Sequence, residues 1–162
     1  MKKDGIYLYL DDVRTPVDKR WEVVRTHEEL VAHIKLHGLE NYEVISLDHD
    51  LGESAMIEYY SNVKPNFELD YKNIQEKTGY DSAKFLVSES MTKNIPLPQI
   101  YIHSANPIGS SNMMGYINNY LMNCHRPQTC VRINVEHTID ESHLLSPEAR
   151  KAKWSRPKQN EE

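Results

Sequence analysis

Ile6 to Leu10 reads IYLYL and stops at Asp11-Asp12; Val44 to Leu47 reads VISL and stops at Asp48; Gln99 to Ile102 reads QIYI and stops at His103-Ser104. A short unbroken apolar run that ends abruptly in polar residues is the pattern of a strand buried on both faces. Helix signals separate the three runs. Thr26 with Glu29 three residues on starts a helix that ends near His37 at Gly38. Ala83, Leu86, Val87, Ser90 and Met91 make one helical stripe, and Met113, Met114, Ile117, Leu121 and Cys124 make another. Two weaker strands complete the set: the mixed Trp21 to Arg25, and the alternating Thr129 to Val135, with Val131, Ile133 and Val135 on one face. Strands alternating with helices imply an α/β fold with a doubly wound parallel sheet. The two most apolar runs belong at its centre, which predicts the five-stranded receiver-like order 2-1-3-4-5. The usual crossover helix after the first strand is missing or reduced, because Val13 to Arg20 is short and contains Pro16.

The chain has 162 residues, 39% of them hydrophobic and 27% charged. That is enough for one domain that buries about 70% of its unfolded surface. The expected boundaries are a catalytic domain over 1–136, interrupted by a long polar insertion over 53–77, and a polar C-terminal extension over 137–162. The insertion contains Lys64-Pro65-Asn66 and several tyrosines and reads as a lid. The extension carries a basic run of Arg150, Lys151, Lys153, Arg156 and Lys158 around Trp154, and is expected to be a solvated terminus. The net charge of -5 argues against a duplex-DNA binder, which needs a basic face. No apolar stretch is long enough for a signal peptide or a membrane span. Cys124 and Cys130 lack a CxxC spacing and read as a reduced pair in a cytoplasmic protein.

In doubly wound sheets, ligands bind outside the carboxyl ends of the strands at the point where strand order reverses. Asp11, Asp12 and Arg14 follow the first strand there. Asp48, His49 and Asp50 follow the third, and His103, Ser104 and Asn106 follow the fourth. Clustered carboxylates repel unless a cation or a shared proton relieves them. Oxygen-rich sets suit Mg²⁺ or Mn²⁺, and the histidines tilt the choice toward Mn²⁺ or Zn²⁺. Gly109, before a helix expected to begin at Ser110 or Ser111, offers close backbone approach and free N–H groups to a phosphate. Arg14 adds a bidentate phosphate contact. Setting aside Asp11, Asp12, Asp48 and Asp50, the rest of the chain is close to neutral, so its acidity is concentrated in one place.

Four blocks, YLDDVRTP (Tyr9 to Pro16), SLDHDLG (Ser46 to Gly52), TGYD (Thr78 to Asp81) and HSANPIGSSNM (His103 to Met113), together resemble the cyclic-phosphate-processing receiver-like family. Within the wider receiver superfamily, Asp11-Asp12 is similar to its acidic pair, Asp48 to its phospho-accepting aspartate and Ser104 to its Ser/Thr after the fourth strand. The lysine that receivers carry after the fifth strand has no counterpart, since Val131 to Glu136 offers only Arg132. The resemblance implies a hydrolase, a metal-dependent phosphodiesterase that opens a cyclic nucleotide or oligonucleotide, or a 2′,3′-cyclic phosphate on an RNA end. In that reading Asp11, Asp12, Asp48 and Asp50 hold the metal, and His49 and His103 share acid and base work beside Asp48. Arg14, Ser104, Asn106, Gly109 and Asn112 bind the phosphate, and Tyr59, Tyr60 and Tyr71 of the insertion stack a base. Two alternatives stand beside it: a protein that sequesters a cyclic nucleotide without cutting it, and a signalling domain phosphorylated at Asp48.

Overall fold

The computed structural model describes residues 5–157, so Lys158 of the basic run lies outside the described residues. In chain order the elements are β1 (Ile6–Leu10), β2 (Arg14–Pro16), β3 (Trp21–Val24), α1 (His27–His37), β4 (Tyr42–Leu47), α2 (Glu53–Glu58), α3 (Lys64–Asn66) and α4 (Gly79–Lys93). Then come β5 (Gln99–Ile102), α5 (Pro107–Asn123), β6 (Val131–Arg132), β7 (His137–Ile139) and α6 (Pro147–Ala152). The main sheet is five-stranded and parallel in the order β3-β1-β4-β5-β6, the receiver-like order expected from the sequence.

The crossovers through α1, α4 and α5 all step the same way across the sheet, and α4 contacts both other helices. Right-handed crossovers of this kind place their helices on one face. Leu8, Leu10, Ile45, Leu47, Ile100 and Ile102 pack there with Leu30, Leu86, Met113 and Ile117. The segment after β1 supplies no helix. It forms β2, which pairs antiparallel with β7 from the C-terminal extension. The helix starts follow the sequence signals. Thr26 caps α1 by accepting from Glu29 N, and Thr78 caps α4 in a reciprocal box with Asp81.

The last strand and the C-terminal extension differ from expectation. The last strand is two residues long rather than seven, although Ile133 N still donates to Ile102 O at 2.8 Å. The insertion, expected to be a lid, consists of short helical turns. Buried Glu58 accepts from Asn62, Asp70 and Asn73, and Glu76 accepts from Ser54 and Ala55, so two carboxylates tie the ends of short helical turns together. The described part of the extension is ordered against the domain. Arg150 pairs with buried Glu29, Ser142 accepts from Arg25, and Trp154 packs on His33. Cys124 is exposed, Cys130 is buried, and both are free thiols.

The start of α4 is pressed onto the end of β4. Gly79 N donates to His49 O at 2.9 Å, and a Cβ at Gly79 would lie 1.8 Å from the Asp48 carbonyl oxygen. That neighbour is backbone and cannot rotate away. Gly79→Ala should therefore cost about 1–3 kcal/mol, seen as a drop of roughly 3–10 °C in Tm. An unchanged melt would contradict the close crossing.

Candidate functional site

The backbone ladder continues one residue past each central strand. Asp11 N donates to Val24 O at 3.1 Å, Asp48 N to Leu10 O at 2.9 Å and His103 N to Leu47 O at 3.0 Å. Neighbouring strands are about 4.8 Å apart, so these bonds set Asp11, Asp48 and His103 side by side at the carboxyl edge. Ser46, the small residue between Tyr9 and Tyr101 in register, leaves room for His103 to reach across β4. The imidazole stacks on the Tyr9 ring at 4.1 Å and meets Asp11 Oδ2 through Nε2 at 3.1 Å. Its Nδ1 is 2.7 Å from Ser46 Oγ.

The charges at this edge are strained. Burial alone would raise the Asp11 carboxyl, but the hydrogen bond from His103 and the N–H groups of Arg14 and Val13 outweigh it and hold the group below its ordinary value. Asp48 goes the other way, pushed well up by burial and then by the Asp11 and Asp12 charges. The Asp12 carboxyl is pushed up to about 6 by burial and by Asp11. Burial lowers His103, against the pull of Asp11.

Donor atoms of Asp11, Asp48 and His103 all lie within 4.8 Å of one another. The set fits a divalent ion. Two carboxylates and an imidazole are suitable donors, and the repulsion of Asp48 by Asp11 and Asp12, which Arg14 only partly offsets, favours a cation there. The Ser46 hydroxyl both donates and accepts, so His103 can present either a hydrogen or a lone pair at Nε2. Of the four aspartates expected as ligands, Asp11 and Asp48 are in this set. Asp12 and Asp50 instead line the adjoining cavity.

That cavity is about 290 Å³ and is lined by Asp12, Arg14, Asp48, Asp50, Ser104 and the insertion's Tyr59 and Tyr60, among others. Its size suits a mononucleotide-scale ligand. The Arg14 side chain is 30% exposed there, with Nε 4.0 Å from Asp11 Oδ2. Its backbone is fixed by buried Arg25, which donates to the carbonyls of Asp11 and Arg14 and to the hydroxyls of Thr15 and Ser142.

His49 is fully buried behind Asp50. Its Nδ1 is 2.7 Å from Asp50 Oδ1, its Nε2 is 3.0 Å from the Tyr71 hydroxyl, and Asn112 donates to that same hydroxyl at 3.2 Å. Asn106 holds Asp50 Oδ1 from the other side at 3.2 Å. Tyr71 thus fastens the insertion to the site from within, whereas Tyr59 and Tyr60 face the cavity. The loop before α5 also differs from expectation. The helix begins at Pro107, capped by Asn106, and Gly109 lies buried in its first turn. A Cβ at Gly109 would come 2.4 Å from His49 Cγ, so glycine here makes room for the imidazole. Ser104 Oγ accepts from Asn106 N at 3.1 Å, which fixes the turn at the cavity wall.

Sequence reasoning overlooked Ser46, Tyr9 and Arg25. A serine inside an otherwise apolar strand was the one available signal, and it marks where His103 crosses β4.

A parallel sheet ending in a buried acidic cluster defines a receiver-like α/β domain. The chain belongs to the cyclic-phosphate processing receiver domain family, whose sequence profile matches residues 6–119, well over half of its length. No curated protein and no solved structure matches it significantly. Among the described residues, no helix is long and apolar enough to cross a membrane.

A carboxyl raised in the folded state stabilises least where it must ionise, so without metal the stability linked to Asp48 is lost as pH rises past its ordinary value. Metal-free Asp48→Asn should therefore melt a few degrees above the parent at neutral pH. Mn²⁺ should raise the parent's Tm and leave the variant's unchanged. A lower metal-free Tm for Asp48→Asn would contradict the unrelieved repulsion.

Proposed function

We propose that the protein is a metal-dependent phosphodiesterase that hydrolyses a cyclic phosphate, in a cyclic nucleotide or oligonucleotide or at a 2′,3′-cyclic RNA end. The observation that carries this reading is the meeting of Asp11, Asp48 and His103 donors within 4.8 Å beside a cavity that also presents Arg14. A bound divalent ion, Mg²⁺ or Mn²⁺, would supply charge stabilisation at the phosphoryl oxygens and a more acidic water.

The protein's own groups do the rest. Arg14 pairs with the phosphate oxygens, and Ser104 and the Asn106 turn shape the wall against which they sit. Tyr59 and Tyr60 offer ring faces to a base. Asp50, oriented by His49 and Asn106, takes the proton that the attacking water loses. The water oxygen bonds to phosphorus as one ester P–O bond of the ring breaks, and the proton held by Asp50 passes through a cavity water to the released oxygen, which returns Asp50 to its carboxylate form. His49 acts through Asp50 as a positioning residue. His103, with its nitrogens on Ser46 and Asp11, serves the metal set rather than the acid–base step. A receiver-type phosphorylation of Asp48 is less well supported, because Asp48 is only 6% exposed and β6 ends without a lysine.

The test is a panel of cyclic mono-, di- and trinucleotides and 2′,3′-cyclic RNA ends, incubated with Mg²⁺ or Mn²⁺ and read by mass spectrometry. One class should gain the mass of a water, and chelator should stop the reaction. Arg14→Ala and Asp48→Asn should each lower kcat/KM by about 10²–10³-fold. No turnover of any member, or turnover indifferent to chelator, overturns the reading. Tight binding with the ligand recovered intact points to sequestration instead.

A further inference from the structure

A second group of metal-type donors lies away from the acidic edge, between α1 and the edge strand β3. Glu22 comes from β3, and His33 and His37 are one turn apart on the last half of α1. Their donor atoms lie within 4.8 Å of one another. Both imidazoles are buried, at 0% and 6% exposure. His33 and His37 ring centroids are 4.6 Å apart, and the Trp154 ring covers His33 at 4.9 Å.

The hydrogen bonds around His33 decide what its inner nitrogen can offer. The Tyr42 hydroxyl donates its single hydrogen to the His33 carbonyl at 2.8 Å, and the same oxygen is 2.6 Å from His33 Nδ1. Nδ1 must therefore be the donor of that pair. In the neutral ring the lone pair is then on Nε2, and it points at Glu22 Oε1 across 3.2 Å. Ser155 N donates to the same Glu22 oxygen at 3.0 Å. A lone pair facing a carboxylate needs a positive centre between them, and the His37 donor within 4.8 Å of both gives a metal ion a third ligand there. A tetrahedral ion with bonds of about 2.0–2.1 Å sets neighbouring donors about 3.3 Å apart, close to the 3.2 Å between His33 Nε2 and Glu22 Oε1. Tyr42 then plays the part of an outer group that fixes the ligand's tautomer.

We propose that Glu22, His33 and His37 form a site for a divalent transition-metal ion of the Zn²⁺ type, distinct from the acidic site. Its imidazole-rich donor set prefers Zn²⁺ to Mg²⁺. The ion clips the extension to the domain, because Ser155 N donates to Glu22 Oε1 at 3.0 Å and Trp154 closes over His33.

The probe is Zn²⁺ alone, with Co²⁺ as its spectroscopic substitute. The full chain carrying Asp48→Asn is stripped with chelator, which weakens the acidic site and leaves this one intact. It should bind one equivalent of Co²⁺ with the intense visible bands of a tetrahedral site, release it to Zn²⁺, and change its tryptophan fluorescence as it loads. Adding His37→Asn or Glu22→Gln should weaken binding at least tenfold while circular dichroism stays the same. Should His37→Asn fail to fold, Glu22→Gln decides, since that side chain is 21% exposed at the sheet edge. No bound metal, or affinity unchanged by Glu22→Gln, overturns the proposal and leaves an ordinary ion pair between Glu22 and a doubly protonated His33.

Discussion

Asp11 is where fold and chemistry share one side chain. Its Oδ1 accepts the N–H groups of Val13 and Arg14, which bend the chain out of β1, and its Oδ2 lies 3.1 Å from Nε2 of His103, two strands away. Its own N–H closes the ladder onto β3. One buried carboxylate thus sets the direction of the first loop, the position of Arg14 and the placement of His103. The cost falls on Asp48, which sits at the next strand end, where the Asp11 and Asp12 charges outweigh the relief from Arg14. Buried polar groups persist when they are fully partnered, and the donors of Asp11, Asp48 and His103 could hold a divalent ion.

The loss of the first crossover helix has wide consequences. With β2 in its place, the loop from Asp11 to Arg20 needs another support, and it finds one in the extension. β7 pairs with β2, while Arg25 ties the loop carbonyls to Ser142. Arg150 on α6 in turn neutralises Glu29, whose Oε2 also accepts Arg25 N in place of the usual capping contact. The segment that looked like a tail on charge grounds thus braces the loop bearing Arg14. The insertion is braced in the same manner, by Glu58 and Glu76 inside it and by Tyr71 at His49.

Much of the fold was legible because the apolar runs are short, unbroken and end in charge. IYLYL, VISL and QIYI gave three central strands and the side of the sheet that carries chemistry. The helix caps at Thr26 and Thr78 were equally plain. What could not be read was whatever depends on distant partners. Val131 to Val135 alternates well enough for a strand, yet only two residues pair, because pairing needs a neighbour and β5 offers just Tyr101 and Ile102. The basic run of the extension looks solvated until Glu29 is found beside Arg150. Within the site, residue types were readable but depth was not. His49 and His103 are as suited to acid–base work as any surface histidine by composition, and only the structure shows both buried, His49 against Asp50 and His103 against Asp11.

The central claim is that Asp11, Asp48 and His103 are a metal-binding set. Anomalous diffraction at the manganese edge, from crystals soaked in Mn²⁺, tests it directly. A single strong peak within bonding distance of all three side chains is the predicted result, with the peak lost in Asp48→Asn crystals. A map with no peak there at saturating Mn²⁺, or one whose peak survives that substitution, would contradict it.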